Sequence, residues 1–154
     1  MECGVPVRRS VTKLLLIAAM AMWGDAALAE SAVVLVTSSD SPIQGLGSLE
    51  VRKAYMGVAV SVDGVSVRAV RRRDDDRLNK IFLQSVIAMS ERSYERRLLS
   101  LVLRFGVPRP AEVDNQEELS DLLQRIPSSV SYMWKSDAEA DPSVRIIRIL
   151  WQET

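Results

Sequence analysis

The densest group of side chains able to do chemistry is Arg71-Arg72-Arg73-Asp74-Asp75-Asp76-Arg77. It stands where an apolar, strand-like run at 65–70 should feed a helix N-terminus, whose free N–H groups often bind anions. One reading is an oxyanion site: Arg71 or Arg73 supplies paired hydrogen bonds, and Asp76 stands at the helix start. The plainer reading is a self-neutralised loop whose carboxylates cap the helix and repel a second anion. A bound dianion needs those aspartates turned away or one of them protonated. A second candidate is Thr37-Ser38-Ser39-Asp40, where Ser38 and Ser39 follow an apolar run. Hydroxyl and backbone N–H groups at a strand's carboxyl end suit a small polar ligand, and suit an ordinary turn equally well.

Other chemistries lack the residues they need. The 154-residue chain has no histidine and a single cysteine, Cys3. Ser-His-Asp and Cys-His nucleophiles, histidine-ligated metals and intrachain disulfides are therefore excluded. Asp74, Asp75 and Asp76 have neither calcium-loop spacing nor a shared direction as an acid–base pair. The reading is of a non-enzymatic protein with no cofactor and no metal. Twenty basic residues balance twenty acidic ones, which leaves no bulk basic excess for nucleic acid. Tyr132, Trp134 and Trp151 read as core or sheet-edge residues instead of a base-stacking platform.

The N-terminus reads as an export leader. Arg8, Arg9 and Lys13 precede an apolar run from Leu14 to Trp23, and Ala27-Leu28-Ala29 forms a small-x-small box. Cleavage between Ala29 and Glu30 is expected, making 1–29 a signal peptide and 30–154 one domain. The apolar run is shorter than the roughly 20 residues that span a bilayer. A periplasmic or secreted protein with no membrane span after cleavage is the expectation.

The elements that must position the candidate residues follow from periodicity. The run 32–36 is continuous and β-branched, as in a strand buried on both faces. Ser48 is a plausible cap for a short helix over 49–56, ended by Gly57. Asp63-Gly64 signals a hairpin between 58–62 and 65–70. Asp74 or Asp75 can cap a helix with Leu78, Ile81, Phe82, Ser85, Val86 and Met89 on one stripe. Ser90 begins another, with Tyr94, Leu98, Leu101, Val102 and Phe105 inward. Its outer face of Glu91, Arg92, Glu95, Arg96 and Arg97 reads as a salt-bridged surface. Asn115 and Glu118 form a capping box before Leu119, Leu122, Leu123 and Ile126. Strands at 129–134 and 144–150, separated by a polar loop, close the chain. The fold class is α/β, with a mixed sheet and helices in layers.

Several of these pieces, in order, resemble the substrate-binding proteins of phosphate-type ABC transporters, particularly short single-lobe relatives. The run from Ser48 to Gly57 is similar to that family's helix ending in F-x-G. Asp63-Gly64 with 65–70 is similar to its D-G-x-x-x-x-P-V hairpin. The run from Asp75 to Phe82 is similar to D-S-P-L-R-E-x-F. Val113-Asp114 with Glu117, followed by Ser129-Val130-Ser131-Tyr132, is similar to V-x-x-x-x-E…G-A-I-G-Y-V. The resemblance covers about 31–151 and implies a single-lobe periplasmic-binding-protein-like layer structure, a small mixed sheet flanked by helices. It implies phosphate or another small oxyanion as ligand.

Full-length members of that family bind phosphate through Ser-Gly-Thr at this helix start, where the present chain has Asp76, Arg77 and Leu78. They also close two lobes over the anion, whereas about 125 residues make roughly one lobe. Two functions remain open. A ligand-binding module requires Arg71 or Arg73 to converge with Ser38 or Ser39 on one pocket. An interaction or sensor-accessory protein with a periplasmic protein partner requires an exposed apolar or charged face and no enclosed pocket.

Overall fold

The structure, a computed structural model, describes residues 31–154. The expected leader, Cys3 and the cleavage point between Ala29 and Glu30 lie outside the described residues.

Apolar β-branched residues dominate β1 (Ala32–Ser38), and all seven of its residues are buried. Such a strand must be covered on both faces, and its pleat determines how. Val33 and Leu35 pack with α1 (Ser48–Tyr55), α2 (Asp76–Phe82) and α3 (Glu91–Phe105). Val34 and Val36 pack on the opposite face with residues of α4 (Gln116–Arg125) and α5 (Lys135–Ala140). The remaining strands of the sheet are β4 (Arg68–Arg72), β5 (Ala111–Val113), β6 (Ser129–Trp134) and β7 (Val144–Gln152). Their order is β5-β4-β6-β1-β7. β4 runs parallel to β5 and β6, while β1 is antiparallel to β6 and β7. The result is an α/β layer structure with a small mixed sheet flanked by helices, as the sequence pattern implies.

Aromatic packing fastens the first helical layer. Phe82 and Tyr132 stack at 3.8 Å between centroids, and Tyr55 meets both edge-on. The Tyr55 hydroxyl donates to Val70 O at 3.0 Å, and Tyr94 donates to Tyr55 O at 2.5 Å. Both phenols therefore satisfy backbone carbonyls inside the core.

Four local expectations are corrected. The cap of α1 is Gly47, not Ser48: the Glu50 carboxylate takes the Gly47 N–H at 2.7 Å, and Ser48 is already helical. The hairpin is shorter than the alternation suggests. Asp63 and Gly64, at φ 50° and 78°, join only β2 (Ser61–Val62) to β3 (Val65–Ser66). Both positive values match a primed turn. The chain then passes Val67 and enters the main sheet as β4, where parallel neighbours on both sides outweigh an extended hairpin. The helix expected through 89 turns π-helical at Leu83–Ile87 and stops at Ala88, φ 59°. The wider turn moves the buried stripe by one residue, so Leu83 and Ile87 face inward and Ser85 is exposed. Finally, the polar loop before β7 contains α5, and the stretch before α4 contains β5. Each buries a single apolar side chain, Ala138 and Val113, too little to leave a period in the sequence.

Gly57 and Gly64 both have φ 78°, but only Gly57 is crowded: a Cβ there would lie 2.9 Å from the Leu101 side chain. Gly64→Ala is expected to cost about 1–2 kcal/mol from left-handed backbone alone. Gly57→Ala should cost about 1 kcal/mol more, because Leu101 must shift. Urea unfolding of the two variants measures the difference; equal losses contradict the close approach.

Candidate functional site

Strand alternation splits the charged run across the sheet. Arg71 points to the face covered by α3, and Arg72 points to the face covered by α4, and each meets its own carboxylates. The Arg71 residue is only 3% exposed, with its guanidinium 4.8 Å from the centroid of the Tyr94 ring. Its Nη1 donates to Glu95 Oε1 at 2.6 Å and to Glu112 Oε1 at 3.3 Å, while its buried Nε has no partner. A buried guanidinium is tolerated only with such counter-charges. Glu95 also receives a hydrogen bond from Arg109. On the other face Arg72 grips Asp74 through Nε, at 2.9 Å, and Nη2, and reaches Gln116 Oε1 at 3.0 Å.

The rest of the run serves helix α2 and the rim. Asp75 is the cap: Oδ1 accepts from Leu78 N at 2.9 Å and Oδ2 from Trp134 Nε1 at 2.8 Å. Arg77 lies over the Trp134 ring at 5.2 Å. Arg73 stays exposed, 3.5 Å from Glu112 and 3.8 Å from Asp114. Arg71, Arg73 and Asp76 line one cavity of about 560 Å³, together with Asn79, Glu91, Glu95, Arg109 and Glu112. Three guanidinium groups therefore face four carboxylates. Sequence reasoning missed the last five of those residues. Glu95 in particular carries the signal of an outer-face residue until β4 and α3 are brought together.

Ser38 and Ser39 do not join that cavity. β1 runs antiparallel to β6, and β6 runs parallel to β4, so the carboxyl end of β1 lies at the far end of the sheet from Arg71. Ser38 is buried and its Oγ accepts from Asp40 N at 3.3 Å; the exposed Ser39 donates its N–H to Ser143 O at 2.9 Å. These are turn contacts. The convergence required of a ligand module built on both segments is absent.

Electrostatics fixes the protonation of the Arg71 cluster. Burial alone would raise the Glu95 carboxyl, but hydrogen bonds from Arg71 and Arg109 outweigh it and hold Glu95 below the usual carboxylate range. Its contribution to stability is thus present above its unfolded-state value and lost as pH falls through the folded one. The Arg72 hydrogen bonds lower Asp74 in the same sense. Burial raises the Tyr132 phenol to about 12, so it remains protonated and donates to Asn79 at 2.5 Å.

The pairing is asymmetric, and mutation should expose that. Arg71→Met is expected to change stability by less than about 1.5 kcal/mol, since Glu95 keeps Arg109 and Glu112 keeps Arg73. Glu95→Ala combined with Glu112→Ala strands a buried guanidinium and should cost about 3–5 kcal/mol. Denaturant midpoints at neutral pH measure both, and comparable losses would contradict the burial argument.

No protein-family model matches the sequence, and no curated protein matches it. Solved structures do match the fold. An ABC-type phosphate transport receptor from Vibrio cholerae aligns at TM-score 0.56 and 15% identity, over 79% of this chain and 47% of that one. A Clostridium perfringens protein assigned as a phosphate ABC transporter substrate-binding protein, solved with bound phosphate, gives the same TM-score and identity, over 79% of this chain and 46% of that one. PstS from Borrelia burgdorferi aligns at TM-score 0.53 and 14% identity, over 77% of this chain and 47% of that one. The chain spans about half the length of the structures it matches, and what it shares with phosphate-type substrate-binding proteins at this identity is their fold.

Proposed function

We propose that this chain is an exported, non-enzymatic, solute-binding-protein-like module that works through interaction instead of capturing free phosphate. The observation that carries this reading is the pairing of Arg71 with Glu95 and Glu112. In α/β sheets, ligands bind beyond the carboxyl ends of parallel strands, and here that space is the charged cavity at β4 and β5. The buried guanidinium suited to grip an oxyanion is already gripped by the protein's own carboxylates. A phosphate dianion would enter a cavity whose charged lining carries one excess negative charge, against Coulomb repulsion. The α2 N-terminus offers no compensation, because Asp75 occupies it. These features favour the sensor-accessory alternative over the phosphate or small-oxyanion binder that the sequence resemblance puts first.

Export rests on the leader-like composition of residues 1–29 and on the transport proteins whose fold the chain shares. Among the described residues no helix is long and apolar enough to cross a membrane. The small-oxyanion reading retains one supporting observation: Arg73 and Arg109 keep exposed guanidinium groups at the cavity rim.

Isothermal calorimetry separates the two readings. Wild-type protein should give no saturable heat with millimolar phosphate, sulfate or arsenate. The double variant Glu95→Gln, Glu112→Gln turns the cavity's excess charge from negative to positive and should acquire saturable phosphate binding. Saturable binding by the wild type overturns the interaction reading in favour of oxyanion capture.

A further inference from the structure

The acidic residues of α1 and α3 are all engaged away from the helices' outer surfaces. Glu50 holds the Gly47 N–H, Glu91 lines the charged cavity, and Glu95 is drawn to Arg71 and Arg109. The salt-bridged outer face expected for α3 is therefore not what forms. Arg52 and Lys53 on α1, and Arg92, Arg96, Arg97 and Arg104 on α3, are exposed. Among the described residues none of these six cations lies within ion-pair distance of a carboxylate. Large apolar side chains gather on the same side of the sheet. Leu49, Val58, Leu99 and Leu103 are exposed, Leu103 by 75%, and Phe105, expected to face inward, is 72% exposed at the last turn of α3. The two helices are joined beneath this surface, where Tyr94 donates to Tyr55 O and Leu101 abuts Gly57. Ile149 on β7 is the remaining exposed large apolar residue. The opposite side carries Glu117, Glu118, Asp121, Asp137 and Glu139 on α4 and α5, and Ile149, cross-strand from Val34, is its single exposed large apolar side chain among the described residues.

We infer that the outer face of α1 and α3 docks on an anionic lipid surface, Leu99 and Leu103 entering the interface while the arginines pair with headgroup phosphates. Charge complementarity sets the orientation, because the acidic α4–α5 side is repelled from the same surface. Shape favours lipid over protein. Leu99 and Leu103 protrude from a helix of fifteen residues and do not line the charged cavity. A protein partner needs a complementary surface for such anchors, whereas a headgroup layer accepts them without shape matching. A second copy is disfavoured, since its acidic face offers only Ile149 to meet these apolar side chains. This inference goes beyond the proposed function and does not require the Arg71 cavity to be closed.

Vesicle co-sedimentation tests it, using residues 30–154, which contain the whole sheet and both cores but omit the apolar run at 14–23. Vesicles of phosphatidylcholine with phosphatidylglycerol should pull the protein down at low salt. Pure phosphatidylcholine should not, and half-molar salt should release it. Arg96→Glu with Arg97→Glu, and separately Leu99→Ser with Leu103→Ser, should each weaken binding at least tenfold. All these side chains are at least half exposed or solvent-facing, and an unchanged circular dichroism spectrum confirms folding. No binding to anionic vesicles overturns the inference. So does equal binding by the charge-reversed variant, retention on polyglutamate beads without vesicle binding, or salt-sensitive self-association in place of vesicle binding.

Discussion

A guanidinium cannot be buried without counter-charge, and much of the arrangement around β4 answers to that constraint. Arg71 lies inside the layer between sheet and α3, with Tyr94 beneath its plane and Glu95 and Glu112 at its end. The pairing ties together α3 and the two parallel strands at one edge of the sheet, elements far apart in sequence. It also turns Glu95 toward the cavity, which decides two surfaces at once. The cavity at the strand ends gains negative charge, and the outer side of α3 loses it. Neither surface is explained by its own residues alone.

Direction within the sheet is the second constraint. Placing β1 antiparallel to its neighbour β6 sends the hydroxyl-rich turn after β1 to one end of the sheet and the arginines after β4 to the other. A site cannot draw on both. The polar groups of each end then satisfy each other locally: Thr37 Oγ1 donates to Ser129 O, Ser38 Oγ accepts from Asp40, and Asp75 closes the first turn of α2.

The parts legible in the sequence were those carried by local chemistry. β1 announced itself by an unbroken β-branched run, the Asp63-Gly64 turn by residues that tolerate positive φ, and the caps Ser90 and Asn115 by hydroxyl and amide side chains. Arg71, Arg73 and Asp76 could be singled out as a charged cluster because they are neighbours in the chain. What stayed hidden depends on distance. Glu95 and Glu112 have no local mark as partners of Arg71, nor Arg109 as a partner of Glu95, since only the packing of α3 against β4 and β5 brings them together. Strand direction likewise leaves no trace in the five-residue apolar run 32–36, so the separation of Ser38 and Ser39 from Arg71 could not be read. The π-helical turn after Phe82 was invisible for a related reason: its extra residue is set by how Leu83 and Ile87 fit the core.

The fold shared with phosphate-type substrate-binding proteins here carries a buried arginine that is paired with the chain's own carboxylates. Carbon-13 NMR titration of the Glu95 side-chain carboxyl tests that pairing most directly. The account predicts a midpoint below the ordinary glutamate value of about 4.3, moving upward in Arg71→Met as one of its two cationic partners is removed. A midpoint at the ordinary value, unchanged by Arg71→Met, would contradict it.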